Sequence, residues 1–240
     1  MARLTKRQKQ IMELVDTQQR YSPSEAVGLI KQTSTAKFDE TVEAAFCLGI
    51  NPKHADQQVR STVSLPEGTG QTVRVVAVCK GPAAAAALEA GAVEAGAEEV
   101  IEKIQGGWFE FDILIATADM MGQLSRLGKI LGPKKLMPNP KAGTVVAPSP
   151  DAIAKAVSEF KGGKVEFRND RQGNVHVIIG KASFESERLM RNLAAVYSAI
   201  QRVKPSAAKG IYIKTFALSS TMGPGLKLDS SRFSELSAVE

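Results

Sequence analysis

Leu4, Ile11, Leu14 and Val15 fall on one face of a helix while Arg3, Lys6, Arg7 and Lys9 stay with water, so residues 3–19 are expected to be helical. A second helix follows in "SPSEAVGLIKQTS", where Ser22 is placed to cap and Pro23 occupies the first turn. Its apolar side is Ala26, Val27, Leu29 and Ile30. The period then drops to two. Val42, Ala44, Phe46 and Leu48 alternate with more polar neighbours, and "QQVRSTVSLP" alternates as well, predicting strands over 40–50 and 57–65.

Beyond the breaker cluster "PEGTGQ" at 66–71 the texture becomes strand, helix, strand, helix. "TVRVVAV" and "FDILIAT" read as short buried strands and "EEVIE" as a third, with helices in "GPAAAAALEAGA" and "SPDAIAKAVSEF". Together they predict parallel pairing. After Gly162 and Gly163 comes the pattern of a hairpin: "KVEFRN", a turn "DRQGN", then "VHVIIG". A helix over 184–202 and a strand in "GIYIKTFAL" follow, and "LDSSRFSELSAVE" reads as a short polar tail with no assigned role.

Strand-rich segments therefore flank the α/β segment. The predicted fold class is α/β in two domains: a discontinuous, sandwich-like domain from both termini (1–68 and 160–240) and an inserted Rossmann-like domain (69–159). Charge follows this division. The chain carries 31 Lys plus Arg against 25 Asp plus Glu. Residues 69–159 hold nine and ten of these, net −1, which leaves 22 and 15, net +7, to the flanks. A polyanionic partner should thus be drawn mainly to the flanking domain. Gly68 and Gly70 at one crossing, and Gly162 and Gly163 at the other, offer the torsional freedom expected of a hinge.

Composition removes several function classes. With 43% hydrophobic residues in 240, the chain can bury a core. Its only cysteines, Cys47 and Cys79, lie far apart in apolar stretches and read as reduced thiols. "MARLTKRQKQIMELVD" lacks the apolar run of a signal peptide, and no stretch approaches the ~18 apolar residues of a membrane span. The expected location is the cytoplasm, or the plastid stroma if the chain is made inside an organelle.

Enzymatic readings find little support. Gly122 and Gly128-Lys129 imitate a phosphate-binding P-loop, but the spacing is wrong and Ile130 stands where a hydroxyl must hold magnesium. In "CKGPAAAAA" the dinucleotide glycine pattern is missing and Pro82 removes an amide donor. The two histidines, His54 and His176, have no Cys or acidic cluster at ligand spacing, so no metal is expected. Glu98 and Glu99 read as a solvated helix or strand end, and no nucleophile elbow is present.

Binding readings carry more. "TAKFDETVE" offers Lys37 for a phosphate, Phe38 for stacking on a base and Thr41 as a hydroxyl partner, although a Phe at this position can equally close a core. "SSTMGPG" (219–225) offers three hydroxyls beside the approachable backbone of Gly223, or a plain turn. The most basic run is "MGQLSRLGKILGPKKLMPNPKAGTV" (121–145), with Arg126, Lys129, Lys134, Lys135 and Lys141 and no acid. Eight acids in residues 89–119 just before it are expected to answer part of this charge.

Taken in order, "FDETVEAAFCLGINPKHADQQVRSTVSLPEGTG", "FDILIATADMMGQLSRLGKILGPKKLMPNPKAGTV", "VEFRNDRQGNVH" and "SSTMGPG" resemble the bacterial-type L-one family of large-subunit ribosomal proteins. The resemblance covers nearly the whole chain except the last dozen residues. It implies a two-domain, non-enzymatic protein without cofactor, monomeric when free of the ribosome and not membrane-bound. The implied partners are large-subunit ribosomal RNA, exit-site transfer RNA at a mobile stalk, and the protein's own messenger, whose translation it represses. The principal ribosomal RNA contacts implied are Phe38, Thr221, Met222 and Gly223, with Lys37, Thr41 and Thr215 nearby and Lys164 and Arg168 on the rim. The 121–145 run is a possible secondary RNA surface. A nucleotide-binding enzyme using the Rossmann-like domain is the alternative. Ser61, Glu67, Lys135 and Ala142 depart from residues frequent in relatives, and if the position of Lys135, glycine in many of them, needs a positive φ there, a different turn is expected in this chain.

Overall fold

The computed structural model describes residues 5–16 and 18–229. The chain divides into two compact units, Met1–Gly70 with Val165–Glu240, and Gln71–Lys164. In the first unit α1 spans Lys6–Leu14 and α2 Pro23–Thr33, followed by β1 (Thr41–Leu48) and β2 (Arg60–Ser64). The second unit runs β3 (Val75–Val78), α3 (Pro82–Glu89), β4 (Glu94–Gly96), α4 (Glu98–Gln105) and β5 (Ile113–Thr117). It continues with the short helices α5 (Met121–Leu124) and α6 (Gly128–Leu131), β6 (Val145–Val146) and α7 (Pro150–Lys161). The chain then returns through β7 (Lys164–Arg168), β8 (Asn174–Lys181), α8 (Ser186–Arg202), β9 (Ile213–Ser220) and β10 (Leu226–Lys227).

Local chemistry accounts for most boundaries. Ser22 accepts from the Glu25 amide, and the Glu25 side chain answers the Ser22 amide, a capping box that starts α2. α1 is shorter than its pattern suggests. It begins with a Thr5–Gln8 capping box and stops at Val15, whose backbone is extended. None of its own residues is buried, and Leu14 is 52% exposed. Of the expected apolar face only Val15 enters the core, and Leu4 lies outside the described residues.

The first unit builds a four-stranded antiparallel sheet in the order β10-β9-β1-β8. Alternation along β1 sends Val42, Ala44, Phe46 and Leu48 inward, where Phe46 stacks on Phe216 with ring centroids 4.2 Å apart. α2 and α8 supply Ala26, Val27, Ile30, Leu189, Leu193 and Val196 to the same core. The hairpin expected over 164–180 does not form as one ladder. β7 pairs with β2 in a separate two-stranded sheet while β8 joins β1, and their ends are linked by the Asn169–Val175 bridge and by Asp170, whose carboxylate accepts from the Asn174 amide. Asn169 marks the parting: its Oδ1 accepts from the Val59 amide at 2.7 Å, drawing β7 toward β2.

The second unit is a parallel sheet, β4-β3-β5-β6, covered on both faces. Val75 and Ala77 pack with Ala83, Ala87, Ile153 and Phe160 of α3 and α7; Val76 and Val78 pack with Val100, Ile104, Leu124 and Leu131. Two-sided burial explains why these strands read as continuous apolar runs. One expected strand is corrected: "EEVIE" opens α4, with Val100, Ile101 and Ile104 on its buried face. The third strand lies just upstream at Glu94–Gly96. Five residues are too few to separate the two periods, and acids in a first helical turn suit the helix dipole.

Glycine is required at the first crossing. Gly70 has φ +71, and a side chain there would press on Lys181 and the Phe184 ring. Gly68 (φ 70) and Gly163 (φ 105) are also left-handed, whereas Gly162 caps α7 with an ordinary φ of −72. The segment before Gly70 is fastened to α8. The fully buried Asn192 accepts from the Glu67 amide at 3.0 Å and donates to the carbonyls of Gly68 (2.9 Å) and Ile179 (2.8 Å). Glu67 also pairs with Arg188 at 2.7 Å and with Arg191.

Candidate nucleic-acid interface

β1 begins where β9 ends, with Val42 opposite Ser220. That register places Thr41 against Thr221: the Thr221 amide donates to the Thr41 carbonyl at 3.0 Å, and the Thr41 amide donates to Thr221 Oγ1 at 2.9 Å. From β8, paired on the other side, Lys181 Nζ donates to Thr41 Oγ1 at 2.8 Å. Two irregular segments extend beyond these ends, residues 34–40 and 221–225. Each lifts one large apolar side chain into solvent, Phe38 at 54% exposure and Met222 at 56%. The two readings of Phe38 are thereby separated, since it does not close the core.

A buried carboxylate ties the two segments together. Glu40, 1% exposed, accepts from the Ala36 amide (3.1 Å) and Arg7 Nη2 (3.3 Å) on Oε1, and from Ser220 Oγ (2.7 Å) and the Met222 amide (3.0 Å) on Oε2. Burial alone would raise its pKa, but the bonds from Ser220, Met222 and Ala36 and the charge of Arg7 outweigh this and hold it below the ordinary carboxylate value. Gly223 closes the turn with its amide on the Ser220 carbonyl at 3.1 Å. A Cβ at Gly223 would collide with Ser220 Oγ, so glycine here protects the hydroxyl that serves Glu40. Asp39 fastens the loop from its other side, accepting from the Ser183 amide (3.1 Å) and hydroxyl (2.7 Å).

Next to these ends one face of the sheet stays partly open. It carries Glu43, Ala45 and Cys47 of β1, Thr215, Ala217 and Ser219 of β9, and His176 and Ile178 of β8. Thr215 is exposed on this face but pairs with Cys47, six positions along the chain from Thr221, so it does not join the strand-end cluster. Glu40 and Lys181 are the members of this region that motif reading misses, whereas the Ser219 and Ser220 hydroxyls belong to the "SSTMGPG" reading. A signal for Glu40 was present: it shares the parity of the inward residues of β1, which begins at the next position.

The remaining sequence-derived positions scatter. Lys37 is exposed within the loop. Arg168, also exposed, ends β7 and lines a shallow cleft with Pro52, Gln58, Asn169, Asp170 and Arg171. Lys164 belongs to the second unit, where it pairs with Glu159 at 2.8 Å and lies over the Phe160 ring. With that boundary Lys161 and Lys164 count with the second unit, making its sequence charge +1 and that of the first +5.

In the second unit, Arg126, Lys129, Lys134, Lys135 and Lys141 are all exposed. α6 ends in a Schellman turn, with the Leu136 amide on the Leu131 carbonyl and the Lys135 amide on that of Gly132, both at 3.0 Å. Lys135 takes the left-handed position itself, at φ 61, so the expected different turn is not adopted. Local neutralisation is not found either. Among the described residues no acid pairs with these five cations; Lys134 lies over the Phe109 ring at 4.2 Å. Three of the eight neighbouring acids are engaged elsewhere: Glu94 with Lys103, Asp112 with Arg74, and Glu98 with Gln123. Ala142, a departure from relatives, is buried.

α3 starts at Gly81-Pro82 without a side-chain cap, and burial raises the Cys79 thiol pKa. Among the described residues no group of His, Cys, Asp and Glu is placed to hold a metal ion, and no helix is long and apolar enough to cross a membrane.

Residues 30–224 match the model of the family described as Ribosomal protein L1p/L10e. The chain belongs to that family. The match starts inside α2 and ends just after Gly223, so it spans both segments tied by Glu40. A curated relative of this L1p/L10e member, the large ribosomal subunit protein uL1 of Gloeobacter violaceus, is 54% identical over 236 residues, covering 98% of each chain. The resemblance noted from the quoted motifs is thus borne out, and so is the α/β fold class.

Proposed function

We propose that this protein is a structural, non-enzymatic component of the large ribosomal subunit that binds folded ribosomal RNA through the strand-end region of its first unit. The observation that carries the reading is the pair of solvent-facing apolar side chains, Phe38 and Met222, held on segments whose backbones are bonded to one buried carboxylate. Exposed apolar groups on a pre-ordered frame suit stacking and shape recognition, while Lys37 and Lys181 add phosphate attraction. Membership of a ribosomal protein family agrees with this.

The finer role we propose is that of a stalk protein beside the exit site, which assists release of deacylated transfer RNA and represses translation of its own messenger by the same RNA-binding surface. The free cations of 126–141 would face transfer RNA. The two units would reorient about the residues after Gly70 and around Gly162 and Gly163, since the segment up to Gly68 is held to α8 by Asn192. Away from the ribosome the protein acts as a monomer.

The direct test is titration of a large-subunit ribosomal RNA fragment with the full chain. Wild type binds saturably, and Phe38→Ala with Met222→Ala weakens binding on the order of 10- to 100-fold without unfolding the protein. Equal affinity of the double variant would overturn the assignment of this surface.

A further inference from the structure

The Glu40 carboxylate occupies a place that neither exposed side chain reveals. Its two oxygens meet four donors from three separate stretches of chain: Arg7 in α1, Ala36 in the loop before β1, and Ser220 and Met222 at the end of β9. Loop and turn lie some 180 residues apart in sequence. One side chain bonds to both, beside the Thr41–Thr221 bonds at the strand ends.

We propose that Glu40 is the positioning residue of the RNA-binding surface, fixing the loop that carries Lys37 and Phe38 against the Thr221-Met222-Gly223 turn without itself touching RNA. This rests on the reading of that surface given above. Three features argue for it. Glu40 is 1% exposed, so it offers nothing to a phosphate, and as an acid it would repel one. All four partners are donors, matched to the acceptor-only chemistry of an ionised carboxylate. Gly223 lacks the Cβ that would push Ser220 Oγ away, so the turn is shaped around the same bond.

The chemistry selects the test. Glu40→Gln keeps size and shape but turns one oxygen into an NH2 group, which must face either the Ala36 and Arg7 donors or the Ser220 and Met222 donors. One segment is then released whichever way the amide points. In the full chain, Glu40→Gln should weaken binding to a large-subunit ribosomal RNA fragment on the order of tenfold or more. Its dependence on salt should keep the wild-type slope, because no phosphate contact is lost. Amide hydrogen exchange in the free protein should accelerate at Ala36 or Met222 while the core strands stay protected. Ser220→Ala removes one donor at a strand end and provides a second, milder probe. Combined with Gly223→Ala it should show less than additive loss, since both act on one bond.

Wild-type affinity in a folded Glu40→Gln protein overturns the proposal. So does a loss accompanied by a shallower salt slope, which would make Glu40 or Arg7 part of a phosphate contact. Should Glu40→Gln fail to fold, additive losses in the Ser220→Ala and Gly223→Ala pair would overturn it equally. The exchange measurement needs no RNA. Failure of the wild type to bind ribosomal RNA would sink the functional reading, whereas unchanged exchange at Ala36 and Met222 would sink this one.

Discussion

Thr41 and Thr221 hold each other at the end of the first unit's sheet: the Thr41 amide donates to the Thr221 hydroxyl at 2.9 Å, and that hydroxyl donates to the Thr41 carbonyl at 3.3 Å. The hydroxyl therefore has work inside the chain before any RNA arrives, with one lone pair left over. Thr221→Val removes both roles and should cost about 1–3 kcal/mol of RNA binding, whereas Thr221→Ser should retain most of it. Binding isotherms for the two variants, read beside their melting curves, check this. Equal losses in both would point to the methyl group instead.

Replacing Arg126, Lys129 and Lys135 together by alanine should leave affinity for a ribosomal RNA fragment unchanged. The same variant should bind transfer RNA more weakly, with a salt slope shallower by roughly two to three, because among the described residues these cations have no acidic partner. Transfer RNA titrations at three or more salt concentrations provide the measurement.

Lys135→Gly tests the Schellman turn. A non-glycine residue at φ 61 carries a conformational penalty of about 1 kcal/mol or more, part of which glycine returns through the entropy of the unfolded chain. The variant should be more stable than wild type by up to about 1 kcal/mol, read from urea unfolding.

Asn192 sits fully buried with three bonds to backbone groups. Asn192→Ala leaves the Gly68 and Ile179 carbonyls and the Glu67 amide short of partners, so a loss of roughly 2–4 kcal/mol is expected. Denaturant unfolding gives the magnitude, and faster exchange at the Glu67 amide would locate it.

Acid should destabilise the first unit through Glu40 and, more weakly, the exposed turn residue Asp170, both held below their ordinary values. A depressed carboxylate contributes stability in full above its unfolded pKa, about 4.3 for Glu, and that contribution disappears as pH falls through the lower folded value. Stability should decline below about pH 5 in wild type and more gently in Glu40→Gln. Melting temperatures across pH 3–7, about one unit apart, decide the sign.

Much of the fold could be read from short-range pattern. Alternation at Val42, Ala44, Phe46 and Leu48 announced β1, and Ser22 followed by Pro23 announced α2. Errors arose where the deciding partner was distant or the window short. Five residues of "EEVIE" fit either period, and "VHVIIG" could not reveal that β1, and not β7, would be its ladder. β10 and β6, two residues each, carry no pattern of their own.

By itself the sequence determined which side of each element would be apolar, where backbone donors would be capped, and which family the motifs belong to, because these depend on neighbours within a few positions. Tertiary structure alone decided that Phe38 and Met222 face solvent. It also decided that Thr41 meets Thr221, and that Glu40, in phase with the core, finds Ser220 and the Met222 amide. A buried charge can persist only where donors converge on it, and their convergence is a property of strand register between segments some 180 residues apart, which no local pattern encodes.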